Sequence, residues 1–182
     1  MPRISKTSMS KLNLGCGSRV LQGYLNIDSS SNTPGVISAF VTDLSFLPDK
    51  SCDEVIAYYL LEHLTYEQAV SMMYQVSLKL VPGGIFKILV PDFTEIARYA
   101  INNNNNIDAM NLLSMEVYIN GEESGHKSIW NESILTYYLY REGFFEHAVF
   151  TNNVGSKSFG IYVDAYRTEY DHYNTKGGGY KP

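Results

Sequence analysis

The sequence is poor in several features that mark whole classes of protein. It has only two cysteines among 182 residues, Cys16 and Cys52, which excludes a disulfide framework and favours reduced thiols in the cytoplasm. Basic residues are also scarce, because 14 Lys and Arg stand against 19 Asp and Glu and the net charge is −5. An acidic chain lacks the basic face that a nucleic-acid partner would require.

Long apolar runs are missing too. No stretch approaches the roughly 20 apolar residues of a membrane-spanning helix, and no apolar segment follows the basic N-terminal residues, as a secretory signal would require. The chain does have 45% hydrophobic residues and 15 tyrosines. We therefore expect one globular domain over residues 11–170, between a flexible N-terminus, 1–10, and a disordered tail, 171–182.

Strand-like runs alternate with helical patterns along the chain. The strand-like runs cover residues 11–14, 24–27, 36–41, 53–59, 85–90, 144–150 and 161–166. Helical patterns follow the Thr65–Gln68 capping box and cover 92–101, 107–118 and 131–143. This alternation predicts a Rossmann-like, doubly wound α/β fold. Its seven-strand-type sheet should be mostly parallel, with an antiparallel last strand and helices on both faces.

A glycine turn follows the first predicted strand. In the segment LNLGCG, Gly15 and Gly17 allow the backbone to turn sharply and a ligand to come close. The next strand ends at Asp28, whose carboxylate can accept hydrogen bonds from two ribose hydroxyls. The second strand run begins at Tyr24, only seven positions after Gly17, so the first helix should be short or absent.

Five motifs in this order resemble those of class I S-adenosylmethionine-dependent methyltransferases. LNLGCG, NID, TDLSFLPDKSCDEVIAYYLLEHL, LVPGG and VPD are similar to a small bacterial and viral branch of type 11-like enzymes, from about Lys11 to Phe150. The resemblance implies S-adenosylmethionine as cofactor and S-adenosylhomocysteine as product. It implies that Leu14, Gly15, Cys16 and Gly17 line the methionine part, Asp28 holds the ribose, Asp43 and Leu44 lie at the adenine, and Ala57, Tyr58 and Tyr59 flank the sulfonium.

Two other classes of function stay open at this stage. An NAD(P)-dependent Rossmann oxidoreductase would need the first helix for its pyrophosphate, so the short spacing after Gly17 counts against it. A non-catalytic S-adenosylmethionine-binding module of a larger assembly would need the same cofactor motifs as an enzyme. A cofactor without phosphate does not need the helix, which favours the methyltransferase interpretation.

Three side chains are candidates for the chemistry on the acceptor side. His63 in LEHL and Asp92 in VPDF follow the fourth and fifth predicted strands, and His126 lies in the polar segment GEESGHKS. Each could take the acceptor's proton or contact the acceptor. The structural alternatives are a capping or packing role for His63, a helix N-cap for Asp92 and a solvated loop for His126.

The resemblance also bears on the acceptor, since this branch often occurs in surface-polysaccharide pathways. It implies a sugar or glycan hydroxyl, or another small acceptor, and a homodimer or a fusion to glycan-processing domains is compatible with it. We expect no metal, because the four histidines show no H-x-x-x-H spacing and no C-x-x-C accompanies them. Cys16 should pack in the cofactor loop rather than act as a nucleophile.

Overall fold

The computed structural model describes residues 10–111, 125–154 and 158–167. Its seven strands are β1 Ser10–Leu14, β2 Tyr24–Asp28, β3 Val36–Ser38, β4 Cys52–Tyr58, β5 Leu80–Pro91, β6 Glu146–Val154 and β7 Ser158–Tyr166. They form one sheet in the order β3-β2-β1-β4-β5-β7-β6. The predicted tail and the predicted flexible N-terminus lie outside the described residues, apart from Ser10.

Strands β1 to β5 are parallel, and β7 pairs antiparallel with both β5 and β6. The predicted, mostly parallel seven-stranded sheet is therefore confirmed. The chain moves outward from β1 to β2 and β3, and then returns to place β4 on the other side of β1. Ligands of open α/β sheets bind at such a reversal, outside the carboxyl ends of the strands.

The helices whose two ends both lie in the described part of the chain are α1 Tyr66–Lys79, α2 Phe93–Asn102 and α3 Glu132–Arg141, with a 3₁₀ turn over Leu61–His63. Each of the three α-helices begins at a side-chain cap, which leaves fewer of the first N–H groups without a partner. Thr65 forms the predicted capping box with Gln68, and Asp92 and Asn131 cap α2 and α3. Of the helix predicted over 107–118, residues 107–111 are helical and the remainder lies outside the described residues.

The hydrophobic core lies on one face of the sheet. Alternate residues of β1, β4 and β5 point to it, and α1 and α3 cover it, as the two-residue period of a strand and the apolar stripes of the helices require. The buried cluster includes Leu12, Leu14, Val55, Ala57, Phe86 and Ile88 from these strands, Met72 and Met73 from α1, and Leu135 and Leu139 from α3.

The other face of β1, β2 and β4 is polar. Asn13 donates a hydrogen bond to Asn26 Oδ1 at 2.8 Å. Glu54 accepts hydrogen bonds from Tyr24 and from Lys87, and the bond to Glu54 raises the pKa of Tyr24 to about 12. The connection between β1 and β2 has no helix, as the seven-residue spacing predicted. Hydrogen bonds and ion pairs replace the apolar contacts that such a helix would make.

Several strand boundaries differ from the sequence prediction. Strand β6 covers Glu146–Val154 rather than 144–150, and β7 begins at Ser158 rather than at Ile161. Two further differences have a visible cause. Strand β5 begins at Leu80 rather than at Ile85, because Leu80 already pairs with Cys52 before the register shifts. The glycines of LVPGG lie within this strand, where Gly83 donates to Arg167 O at 2.8 Å. Strand β3 ends at Ser38 instead of Val41, since the chain turns there and Asp43 N donates to Phe40 O at 3.0 Å.

Among the described residues, no helix combines the length and the apolar character that a membrane crossing would need.

Candidate cofactor and acceptor site

The glycine turn closes the end of β1 against β2 and the segment after β4. The N–H groups of Gly15 and Cys16 both donate to Ile27 O, at 2.8 and 3.2 Å. Gly15 has a φ of +63°, and a Cβ at this position would lie 2.4 Å from Leu60 Cδ1. Only glycine fits this backbone conformation and this close approach without strain.

Gly17 leaves open space on the turn. Its φ is +53°, and an added Cβ would meet no other atom within 4 Å. Its N–H group donates to Asp28 Oδ2 at 2.9 Å. The residues therefore form a small cradle, with an acidic side chain at its edge, where the strand order reverses.

Asp28 is held in place by several donors. Its Oδ1 accepts hydrogen bonds from Ser30 N at 2.9 Å, Ser30 Oγ at 3.1 Å and Ser31 N at 2.9 Å. Burial alone would raise the pKa of Asp28, but the hydrogen bonds from Ser30, Gly17 and Ser31 outweigh it and hold the pKa below its ordinary value. The carboxylate is therefore ionised at neutral pH and able to accept hydrogen bonds from hydroxyl groups.

The other residues expected at the cofactor differ in what they offer. Cys16 is buried, and burial together with the Asp28 charge raises the pKa of its thiol, which disfavours a nucleophilic thiolate. Leu14, Leu44 and Ala57 have no exposed surface, and their side chains pack in the hydrophobic core. Asp43 is exposed and accepts a hydrogen bond from Ser45 N at 3.0 Å. The adenine and methionine assignments stay predictions.

Strand β4 ends at Tyr58, and a second tyrosine, Tyr59, follows it at the same edge of the sheet. Tyr59 has a φ of +54° and is 43% exposed, while its N–H group donates to Leu89 O at 2.7 Å. A bulky residue in this left-handed conformation is uncommon and costs free energy. Tyr58 OH donates to Tyr162 OH at 3.4 Å. Tyr58 and Tyr59 thus follow one another at the carboxyl end of β4, and their position beside a sulfonium stays a prediction.

The two candidate histidines come from distant segments. His63 ends the 3₁₀ turn after β4, and His126 lies in segment 125–130 before α3, which has no regular secondary structure. Backbone hydrogen bonds dock this segment on the turn, because Lys127 N and Ser128 N donate to Glu62 O at 2.6 and 3.2 Å. The buried Ser128 Oγ lies 3.0 Å from Leu61 O.

This docking brings three ionisable side chains together. The rings of His63 and His126 are 5.0 Å apart between centroids and meet edge to face. Possible ligand atoms of Glu62, His63 and His126 all lie within 4.8 Å of one another. Glu62 is 3% exposed, and burial lowers the pKa of His126, which favours its neutral imidazole. The sequence pattern indicated His63 and His126 separately and gave no sign that they meet beside Glu62.

Asp92 caps the N-terminus of a helix, which was the structural alternative to a role in the chemistry. Its Oδ1 accepts hydrogen bonds from Thr94 N at 2.9 Å and Glu95 N at 3.3 Å, which makes it the N-cap of α2. Burial raises the pKa of this carboxyl group. Phe93 N donates to Trp130 O at 2.9 Å, so Asp92 adjoins the segment that carries His126, but its Oδ1 is committed to the helix.

Comparisons with known proteins agree with this description of the fold. A SAM-dependent methyltransferase from Archaeoglobus fulgidus matches with a TM-score of 0.63 and 15% identity, over 89% of this chain and 87% of that one. One from Methanosarcina mazei matches with a TM-score of 0.59 and 16% identity, over 90% and 95%. A possible histamine N-methyltransferase from Thermotoga maritima matches with a TM-score of 0.61 and 12% identity, over 87% and 82%.

Neither a protein-family model nor a curated protein sequence matches the chain. The structural likeness therefore establishes the fold: a Rossmann-like sheet of the kind found in class I SAM-dependent methyltransferases. A fold alone does not fix an activity. The activity depends on what the glycine turn, Asp28 and the docked histidines can bind.

Proposed function

We propose that this protein is a cytoplasmic S-adenosylmethionine-dependent methyltransferase that methylates a hydroxyl group of a sugar, a glycan or another small acceptor. The observation that carries the proposal is the glycine turn hydrogen-bonded to Asp28 at the reversal of strand order. The open space at Gly17 and the ionised Asp28 fit a ligand that has a ribose. The structural neighbours that are SAM-dependent methyltransferases support the same cofactor.

The missing first helix argues against a dinucleotide. Residues 15–23 between β1 and β2 form turns and no helix. A pyrophosphate would therefore lack the helix N-terminus that binds it in dinucleotide enzymes. S-adenosylmethionine has no phosphate group, so it does not require a helix N-terminus in this connection.

The chain's own residues would mainly position the reactants. When bound, S-adenosylmethionine supplies a methyl group on a good leaving group, so alignment contributes much of the rate. The acceptor hydroxyl has to lose its proton as the C–O bond forms and the S–C bond breaks. His63 ends the turn that follows β4 and His126 lies against it, and an unprotonated ring nitrogen of either could take that proton. Asp92 is a weaker candidate because its Oδ1 caps α2.

Aromatic side chains support a sugar as the acceptor. Tyr59 is exposed at the end of β4, and the ring of Tyr58 lies 6.0 Å from that of Tyr162. Tyrosine rings pack against the apolar faces of sugars while their hydroxyl groups form hydrogen bonds. A neutral acceptor also suits a chain with a net charge of −5 better than RNA does.

Calorimetry tests the cofactor directly. We expect S-adenosylmethionine and S-adenosylhomocysteine to bind and NADH not to bind. Asp28→Ala should weaken binding of both sulfur compounds by about 1–3 kcal/mol, because charge-assisted hydrogen bonds are lost. Glu142→Ala, at the far end of α3, is the matched control and should bind like the wild type. Tight NADH binding without binding of either sulfur compound would refute the proposal.

Turnover tests the acceptor and separates an enzyme from a binding module. Sugars, glycan fragments and small alcohols are incubated with the protein and S-adenosylmethionine, and O-methylated products are sought by mass spectrometry. We expect product from at least one carbohydrate. Cofactor binding without product from any acceptor would favour a non-catalytic module, and methylation confined to amines or thiols would refute the hydroxyl assignment.

A further inference from the structure

The cluster of Glu62, His63 and His126 has the composition of a metal site. Its possible ligand atoms, one from each side chain, lie within 4.8 Å of one another. We propose that these three residues bind a divalent transition-metal ion of the Zn²⁺ type at the acceptor side of the cleft. The metal's role in methyl transfer rests on the function proposed above, whereas metal binding itself does not.

The donor set selects the class of ion. Two imidazoles and one carboxylate form the three-ligand set of many catalytic zinc sites, in which the fourth position stays open for water or substrate. Imidazole suits zinc and its first-row neighbours. Calcium and magnesium prefer oxygen donors, so a set with two nitrogen ligands disfavours them.

The surroundings of His63 fit a ligand histidine. Its Nδ1 lies 3.3 Å from Gly125 O. With the proton on Nδ1, this nitrogen donates to the carbonyl and Nε2 carries the lone pair that binds a metal, which is the usual tautomer of ligand histidines. A Cβ at Gly125 would lie 3.4 Å from His63 Nδ1, so the glycine leaves room for the ring at this distance.

The frame around the cluster is rigid on one side and adjustable on the other. Tetrahedral zinc at about 2.0–2.1 Å from each ligand would place the ligand atoms about 3.3 Å apart. The distances between these atoms must therefore shorten by up to about 1.5 Å when the ion binds. The backbone contacts from Lys127 and Ser128 to Glu62 O hold Glu62 and the His126 segment together. His63 is exposed and can rotate toward them.

A metal at this position would change how the acceptor is activated. A bound ion of this kind lowers the pKa of an oxygen ligand, so an acceptor hydroxyl on the open position would release its proton to solvent before it attacks the methyl group. A histidine nitrogen that binds the metal has no lone pair left for that proton. Metal ligation and a general-base role for the same nitrogen therefore exclude each other.

Metal titration of the full chain tests the site without any activity measurement. The protein is stripped with a chelator and titrated with Co²⁺, whose visible absorption reports ligand geometry, and with Zn²⁺ against a chromophoric chelator. We expect one equivalent of each ion to bind. Glu62→Gln, His63→Ala and His126→Ala should each weaken Zn²⁺ binding at least about 10-fold.

His147→Ala is the matched control. Backbone pairing places His147 next to Ala165, which pairs with Phe86 near the middle of β5, five residues before the carboxyl end of that strand. The His147→Ala variant should therefore bind Zn²⁺ with the affinity of the wild type. His63→Ala is the decisive variant, because this side chain is exposed and its loss should not impair folding. Unchanged affinity in His63→Ala, or no saturable binding to the wild type, would overturn the proposal.

The two proposals can fail separately. S-adenosylmethionine binding to the metal-free protein tests the methyltransferase assignment, and Co²⁺ binding without cofactor tests the metal site. If methyl transfer is lost with the chelator and returns with Zn²⁺, the metal takes part in the reaction. If Co²⁺ does not bind and chelator-treated protein still methylates, while His63→Ala does not, the histidine is a base and the metal proposal is wrong.

Discussion

The two halves of the proposed site, its cofactor side and its acceptor side, are assembled in different ways. On the cofactor side, Gly17 reaches Asp28 across 11 positions of the chain, within a single turn between neighbouring parallel strands. On the acceptor side, His63 meets Gly125 across 62 positions and Ser128 meets Leu61 across 67. The cofactor side is thus a local structure, whereas the acceptor side depends on docking one distant segment.

This difference has a functional consequence. A local turn can be retained while the docked segment changes, so the cofactor side and the acceptor side can vary independently. Connecting segments that carry functional residues on a fixed scaffold commonly behave in this way. We expect mutations on one side to leave binding on the other side largely intact, provided that the protein stays folded.

Gly15→Ala should have the largest effect and should damage the cofactor side. The alanine would adopt a left-handed conformation at a cost of about 1–2 kcal/mol, and its Cβ would overlap Leu60 Cδ1, which is 2.4 Å away. With the cost of overpacking, we expect a total loss of about 2–5 kcal/mol in the free energy of unfolding. Chemical denaturation measures it, and calorimetry should show no cofactor binding.

Gly17→Ala separates the conformational cost of alanine from the cost of its overlap with Leu60. Gly17 has a similar φ but no atom within 4 Å of an added Cβ, so we expect only the conformational cost of about 1–2 kcal/mol. Adding Leu60→Ala to Gly15→Ala should remove the overlap, and the double variant should be more stable than the sum of the single effects predicts. Equal losses at Gly15 and Gly17 would contradict the close packing of the turn.

The same distinction explains what could be predicted from the sequence. The glycine turn, Asp28 and the α1 capping box depend on residues close together in the chain, so their patterns indicated the structure directly. The absent first helix followed from a count of seven residues. The Glu62, His63 and His126 cluster depends on where the loop before α3 docks, and no local pattern encodes that contact. The extension of β5 through LVPGG was missed because Pro and Gly usually interrupt a strand.

Ser128→Ala should have the next largest effect and should damage the acceptor side. Ser128 Oγ accepts a hydrogen bond from Trp130 Nε1 at 2.8 Å and lies 2.8 Å from Leu64 O. Its loss would leave the buried indole N–H without this acceptor, at a cost of about 1–3 kcal/mol in the free energy of unfolding. We expect weaker Zn²⁺ binding and slower methyl transfer, with cofactor affinity unchanged in calorimetry.

Ser133→Ala is the control for this variant, because Ser133 is exposed on α3. It should change the free energy of unfolding by less than about 0.5 kcal/mol and leave metal binding and turnover at wild-type values. A Ser128→Ala protein that is folded but has lost cofactor affinity would show that the two sides are coupled, contrary to the independence inferred above.

Asp92→Asn should have the smallest effect, and its pH dependence should be opposite to that of Asp28→Asn. Burial raises the pKa of Asp92 above its ordinary value of 3.8, so its stabilising contribution is present at low pH and is lost as the pH rises through the folded-state pKa. Asparagine caps helices as well as aspartate and carries no charge. The Asp92→Asn variant should therefore be at least as stable as the wild type at pH 7, and the difference in stability should vanish in acid.

Asp28→Asn should show the opposite pH dependence. The pKa of Asp28 is lowered, so the stabilising contribution of its carboxylate is present above 3.8 and lost in acid, and Asp28→Asn should be less stable than the wild type at pH 7. Urea denaturation across this pH range measures the stability of both variants.

Methyl transfer by Asp92→Asn should stay within about 2-fold of the wild type. A general base would contribute at least about 100-fold, so a loss of that size would make Asp92 the base.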